Sequence, residues 1–228
     1  MTVVYAMTRN LYPHFLPALR SLLEHNSPEK VYILAEDDNL PYDLPDACEV
    51  VNVSGQTWFQ PDGPNMRSMF TYMAMVRACY AYLFPDLDRV LQLDIDTIVC
   101  DDLSPVWETD LTGKWFAACP EYLAHYNPFG NDKYYNIGVC VYNLEQMRRD
   151  NIVPALIDVL NNRKMMCVEQ DAINLLGVPD KVTDIPVRYN ESFCCGTTDN
   201  PAVVHYAGQP NWFANKSMPR AAYMDKYR

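Results

Sequence analysis

Apolar and polar positions alternate along the chain in short, well-separated runs. TVVYAM (2–7) is an apolar run of strand length, and VYILAE (31–36) and CEVVNV (48–53) are two more. Between the first two, PHFLPALRSLLEHN (13–26) places Phe15, Leu16, Leu19, Leu22 and Leu23 at the spacing of one helix face. SMFTYMAMVRACYAYLF (68–84) is the longest apolar stretch. It falls short of the roughly 20 residues of a membrane span and carries Arg77 mid-run, so it predicts a helix over 68–83 buried on most sides. RVLQLD (89–94) predicts a fourth strand. Strands alternating with helices predict an α/β fold, a mostly parallel Rossmann-like sheet with helices on both faces.

The second half reads as more mixed. WFAAC (115–119) and NIGVCVYNL (136–144) predict strands, with five aromatics in the loop EYLAHYNPFGNDKYY between them. EQMRRDNIVPALIDVLNNR (145–163) is helical, and Pro154 predicts a break or kink. EQDAINLLG (169–177) has the acidic start and glycine stop of a short helix, and PAVVHYAG (201–208) reads as a late strand.

Composition narrows the class. The chain has 228 residues, 49% hydrophobic and 21% charged, which is a globular balance. Its net charge of −11 argues against a protein that grips a phosphate backbone. The eight cysteines lack a CxxC pair and lie mostly within apolar runs, as reduced thiols do. The opening MTVVYAMTRN has no basic segment followed by a long apolar one, so a reducing cytoplasm is the expected compartment.

LQLDIDTIV (91–99) carries the candidate chemistry. Ligands of parallel α/β sheets bind outside the carboxyl ends of strands, and RVLQL delivers Asp94 there. Asp94 and Asp96, two residues apart in an extended segment, point the same way and repel each other unless a cation lies between them. Hard oxygen ligands suit Mg²⁺, Mn²⁺ or Ca²⁺; the plainer alternative is one aspartate capping a turn and one in solvent. His205 ends another apparent strand, and as a third ligand its imidazole would favour Mn²⁺. Arg77 needs a carboxylate partner or an anionic ligand. Glu169, Gln170 and Asp171 either favour the dipole of a helix start or hold hydroxyl groups. The aromatics of 122–135 either pack their loop or offer a stacking platform for sugar rings.

These segments, in order, resemble glycosyltransferase family 8. YAMTRNLY (5–12), Arg77 followed by LFPDLDRVLQLDID, DDLSPVWETDL, YYNIGVCVYNL, EQDAINLL and HYAGQPNWF are each similar to a family motif and together run along nearly the whole chain. The resemblance implies the GT-A fold in a single domain over 1–228. Residues 1–100 would be the nucleotide-binding half, 101–210 the donor-sugar and acceptor half, and 211–228 a tail. It implies a retaining transferase that moves a hexose, galactose or glucose first, from a UDP-sugar to a saccharide or lipid-linked acceptor. It implies Mn²⁺, with Mg²⁺ as a second choice, held by Asp94, Asp96 and His205. Thr8, Tyr12, Arg77, Ile95, Asn136, Gly138 and Gly208 match positions that contact the donor. Gln170, with Glu169 and Asp171, matches the catalytic segment.

Four positions depart from the family pattern. Glu169 stands where aspartate is usual. Ile137 replaces a small residue and is expected to crowd the donor pocket. Asn211 replaces a lysine that would reach the diphosphate, with Lys216 as a substitute. Trp212 stands where proline is usual. The tail holds four basic residues and one acid, which admits peripheral contact with an anionic membrane. Two other readings carry less: a phosphatase using D-x-D as nucleophile and acid lacks its later lysine and acidic pair, and a GT-A-like domain binding a nucleotide sugar or glycan without turnover is the alternative to an enzyme.

Overall fold

The computed structural model describes every residue except 69, 123–126 and 210. The described residues form nine strands, β1 Thr2–Ala6, β2 Lys30–Ala35, β3 Cys48–Asn52, β4 Arg89–Leu93, β5 Thr97–Val99, β6 Phe116–Pro120, β7 Tyr135–Asn143, β8 Val182–Asp184 and β9 Val203–His205. The helices are α1 Leu16–His25, α2 Thr71–Val76, α3 Tyr80–Leu83, α4 Ser104–Trp107, α5 Leu144–Arg149, α6 Val153–Asn162, α7 Val168–Gly177 and α8 Ala221–Asp225.

Seven strands form one sheet in the order β3-β2-β1-β4-β7-β6-β8, and β5 pairs with β9 in a second. The four strands β3, β2, β1 and β4 are mutually parallel. β7 runs antiparallel between β4 and β6, so β4 and β6 point the same way. Their carboxyl ends, with that of β1, therefore open on one edge of the sheet, where the chain turns outward and backbone groups are free for ligands. The sheet separates two cores. Val4, Val90, Cys140 and Tyr142 pack with α2, α3 and α5 to α7, whereas Val3, Tyr5, Leu91, Leu93 and Val141 pack with α1 and α4. Strands buried on both faces need apolar side chains at every position, which is why they read as continuous runs.

Two expected helices are broken. The run 68–83 is divided into α2, a 3₁₀ turn Arg77–Cys79 and α3. The tighter turn falls on the run's single charged residue, whose side chain reaches two carboxylates. The segment 145–163 is divided into α5 and α6 by a left-handed Asn151, φ 51°. Pro154 is not the break itself; it sits in the first turn of α6, where its missing N–H costs no hydrogen bond.

β6 and β7 also hold an irregularity. Ala118 pairs with Cys140 and Cys119 with Asn136, so Ile137, Gly138 and Val139 have no ladder partner on β6. Bulges bend a strand and re-aim its side chains, and this one lies at the carboxyl edge.

Residues 211–228 are docked on the fold. Met218, Ala221, Met224 and Tyr227 bury against Ile98 and Val204 of the small sheet and Tyr206 just after it. Three of the four basic residues are ion-paired, Arg220 with Glu191, Lys226 with Glu24 and Arg228 with Asp225. All eight cysteines are free thiols. Among the described residues no helix is long and apolar enough to cross a membrane.

Candidate functional site

β4 ends at Leu93, and Asp94 and Asp96 follow on the turn into β5. The turn is pinned: Asp94 N–H donates to Gly138 O at 2.7 Å, Thr97 Oγ1 donates to Asp94 O at 2.6 Å, and Tyr206 N–H donates to Asp96 O at 2.9 Å. Ile95 between them faces the apolar core, 7% exposed, so the two carboxylates share the other side. The pairing of Thr97 with His205 across β5 and β9 brings the imidazole to the same point. His205 Nε2 lies 3.3 Å from Asp96 Oδ1 and 3.7 Å from Asp94 Oδ2. Ligand atoms of all three side chains lie within 4.8 Å of one another.

The ring nitrogens of His205 are distinguished by their partners. Asn190 donates its amide N–H to Asn136 Oδ1, which leaves Asn190 Oδ1 to accept from His205 Nδ1 at 2.8 Å. With the proton on Nδ1, the lone pair of Nε2 faces the carboxylates, the arrangement of a metal-binding histidine. Gly138 makes room for it: a Cβ there would lie 2.1 Å from His205 Cε1. Burial pulls the imidazole pKa down, but Asp96 and then Asp94 push it up to about 9. Burial raises the Asp94 carboxyl; Arg77 opposes that and Asp96 adds to it. Two carboxylates and one imidazole lone pair, crowded together and fixed from behind, fit a divalent cation by charge, ligand type and reach.

Arg77 joins this group to the start of α7. It donates to Asp94 Oδ1 and to Glu169 Oε1, and Gln92 adds a hydrogen bond to Asp94 Oδ1 at 2.7 Å. Glu169 is fully buried, its Oε2 has no hydrogen-bond partner among the described residues, and burial pushes its carboxyl up to about 7 against the pull of Arg77. The residue before it, Val168, has φ 38°, a conformation β-branched side chains rarely adopt. It lies buried at the start of α7, where the chain turns Glu169 inward and Gln170 toward the cleft.

Two clefts flank the carboxylate pair. One of 320 Å³ is lined by the end of β1 and the turn after it, including Thr8, by Phe70 and Thr71 at the start of α2, and by Trp212. The other, of 270 Å³, is lined by Glu121, Asn136, Gln170, His205 and Gly208, with Cys167 and Cys194 beside them. Phe70, Arg77, Asp94 and Asp96 line both. Gly208, φ 68°, makes the turn that carries the chain out of the second cleft.

Most of the expected residues therefore converge, but some lie elsewhere. Tyr12 is buried and lines neither cleft; its hydroxyl accepts from Glu36 N–H at 2.8 Å and ties the turn after β1 to the end of β2. Asp171 is buried behind the wall, accepting from Tyr134 OH at 2.5 Å and from the backbone N–H groups of Met166 and Cys167. Asn211 and Lys216 are exposed and line neither cleft. Ile137 does not crowd the pocket: within the bulge its side chain turns into the core, while Asn136 faces the cleft. Of the loop aromatics, Tyr134 and Tyr135 are buried and hydrogen-bonded, Tyr122 is exposed, and Tyr126 lies outside the described residues.

Glu121 and Asn190 are functional candidates that the sequence reading missed. Glu121 follows β6 as Asp94 follows β4, and an acid at the carboxyl end of a parallel strand is the signal that marks it. It accepts from Asn136 Nδ2 at 3.1 Å and Gln170 Nε2 at 3.3 Å, and burial raises its pKa. Gln170 also donates to Tyr134 OH and accepts from Ile137 N–H. A continuous chain of hydrogen bonds thus runs from Gln170 through Glu121, Asn136 and Asn190 to His205.

Comparison with known proteins bears on the fold and the family. A structure of the galactosyltransferase LgtC with donor and acceptor sugar analogs superposes over 100% of this chain and 95% of its own, with TM-score 0.79 and 20% identity, a likeness of fold. General stress protein A of Bacillus subtilis is 27% identical over 183 residues, 66% of this chain and 63% of its own length. Glycosyltransferase GlyE of Streptococcus pneumoniae is 28% identical over 191 residues, 76% of this chain and 43% of its own. The chain thus spans less than two thirds of either relative. The model of glycosyl transferase family 8 matches residues 2–213, which take in both clefts and the Asp94, Asp96 and His205 group, and the chain belongs to that family.

Proposed function

We propose that this chain is a retaining glycosyltransferase that moves a hexose, galactose or glucose first, from a UDP-sugar to a saccharide or lipid-linked acceptor, with Mn²⁺ at Asp94, Asp96 and His205. The observation that carries the reading is the convergence of those three side chains, with Asp94 and Asp96 on the wall between two clefts and His205 beside them in the second. One cleft suits a nucleotide and the other a sugar, and the bond to be broken joins the two. Mg²⁺ is the second choice of ion. In this reading residues 1–100 supply the nucleotide half and 101–210 the sugar and acceptor half of one transferase unit acting in the cytoplasm.

When bound, the divalent ion neutralises charge on the departing diphosphate. Arg77, held between Asp94 and Glu169, fixes Asp94 and adds a cation to the wall that both clefts share. Glu121 and Gln170 place a carboxylate and a carboxamide on the sugar side, where positive charge builds on the ring as the bond breaks. Thr8 and the turn after β1 line the nucleotide side. Binding without turnover is the second reading, favoured by the exposure of Asn211 and Lys216, which leaves Arg77 as the cation common to both clefts.

The test is a panel of UDP-glucose, UDP-galactose, UDP-galacturonate, UDP-xylose and UDP-N-acetyl sugars with Mn²⁺. Slow hydrolysis of one of them, lost in Asp96→Asn, is expected. UDP binding with Mn²⁺ and no hydrolysis of any donor favours the binding protein, and no binding at all removes both readings. Sedimentation with anionic liposomes tests membrane contact through 211–228, and absence of co-sedimentation sinks it.

A further inference from the structure

Asn211 and Lys216 lie outside the clefts, but their neighbour Trp212 does not. Trp212 lines the nucleotide-side cleft together with Thr8, Asn10 and Leu11. The other three tryptophans, Trp58, Trp107 and Trp115, line neither cleft.

Its position is held from several sides. Asn211, φ 53°, starts a tight turn in which its carbonyl accepts from the N–H groups of Ala214 and Asn215 at 2.8 and 2.9 Å. Phe213 stacks on His14, with ring centroids 3.6 Å apart and planes 10° off parallel, and Trp212 meets both rings edge-on at 6.5 and 5.6 Å. Arg228, paired with Asp225 of α8, donates to Phe213 O at 3.0 Å and Trp212 O at 3.5 Å. The segment that carries the indole is thus clamped between the turn after β1 and the docked tail. Such clamping limits the rotamer freedom a binding residue loses when its ligand arrives.

We infer that Trp212 is a donor-positioning residue whose indole forms an apolar wall for the nucleoside half of a nucleoside diphosphate sugar, with α8 and Arg228 holding it there. An indole offers a broad π face at low entropic cost, and every nucleobase has a face to match it. Residues 211–228 then belong to the nucleotide site, and their basic side chains serve the docking of the tail. The inference rests on the transferase reading above.

The experiment uses the full chain with UDP and Mn²⁺, read by calorimetry and by tryptophan emission. In the wild type, UDP should change the emission, and in Trp212→Phe that change should disappear while binding is largely kept. Trp212→Leu should weaken UDP by about tenfold and raise KM for the UDP-sugar by a similar factor, with kcat within about twofold. Phe213→Leu keeps the indole but removes the stack on His14, and should weaken UDP by about threefold. Melting of the unliganded variants separates a lost wall from a lost fold: a purely structural tryptophan would lower the melting temperature and leave emission blind to UDP. If Trp212→Leu does not fold, the wild-type and Trp212→Phe emission decide. Wild-type protein that binds UDP by calorimetry with emission unchanged, or Trp212→Leu that binds within twofold of wild type, overturns the inference and leaves the transferase reading standing. Wild-type protein that does not bind UDP with Mn²⁺ overturns both.

Discussion

The two clefts meet at one wall but are built differently. The nucleotide-side cleft comes mainly from two local segments, the turn after β1 and the start of α2, closed by Trp212. Apart from the shared wall, its lining mixes apolar side chains such as Met7, Leu11, Met73 and Trp212 with Thr8, Asn10 and Thr71. The sugar-side cleft draws on β7, α7, the turn after β6 and the exit of β9, and amide hydrogen bonds run through it from Gln170 to His205. A nucleotide can be gripped by shape and a few contacts, whereas a sugar that changes charge during reaction needs polar groups held still. Damage should therefore depend on which side it falls: the shared wall should cost everything, the sugar side turnover, and the nucleotide side affinity.

The largest effect is expected at the shared wall. Asp96→Asn keeps the shape of a side chain that is 20% exposed and removes one anionic ligand. Mn²⁺-dependent turnover should fall by at least about a thousandfold, with the melting temperature of the metal-free protein little changed. Turnover within tenfold of wild type would show that the aspartate is structural. Gly138→Ala comes next. Its Cβ would meet the His205 ring at 2.1 Å and cannot be accommodated without moving it. Activity should fall by about 10- to 100-fold and stability by about 1–3 kcal/mol, a joint loss that kinetics and melting would both record. Unchanged Mn²⁺ affinity in this variant would separate His205 from the ion.

On the sugar side alone, Glu121→Gln preserves size and removes a charge 3.1 Å from Asn136 and 3.3 Å from Gln170. A drop of about tenfold or more in kcat with UDP affinity unchanged is the expected result. A loss of UDP affinity with kcat kept would erase the distinction between the clefts.

How much of this was legible in the sequence follows from the same contrast. The four parallel strands and α1 were readable because each is a local apolar run between turns. Asp94 and Asp96 were readable because the strand that carries them announces its own end. His205 was readable as a candidate from its place at a strand end, but not its approach to the aspartates, which depends on the pairing of β5 with β9, and β5 is only three residues long. Glu121 carries only the signal of an acid after a strand whose place in the sheet is set by long-range pairing, and Asn190 acts from behind the cleft, through Asn136 and His205, which leaves no periodic mark. Tyr12 and Asn211 show the opposite fault: a motif position was legible, but the side chain at it packs behind the wall or lies in solvent, as does that of Lys216, the expected substitute. The break at Arg77 escaped too, because the helical spacing of the run continues through it while its guanidinium reaches for carboxylates 17 and 92 residues away.

The smallest effect asks whether Glu169 belongs to the shared wall as an anion or to the core as an acid. Burial places its carboxyl at about 7, above the ordinary 4.5. A group with that shift binds more protons folded than unfolded. Its cost to stability is absent below pH 4.5 and grows as pH rises through 7, the reverse of the usual salt-bridged carboxylate. Glu169→Gln keeps the shape and removes the titration. The stability of the wild type relative to Glu169→Gln should therefore decline by up to about 3 kcal/mol between pH 4.5 and 8, read by unfolding at a series of pH values. A difference that stays flat would mean that Arg77 keeps Glu169 ionised throughout. Arg77 would then join two fixed anions, Asp94 and Glu169, and the wall between the clefts would extend one residue deeper into the fold.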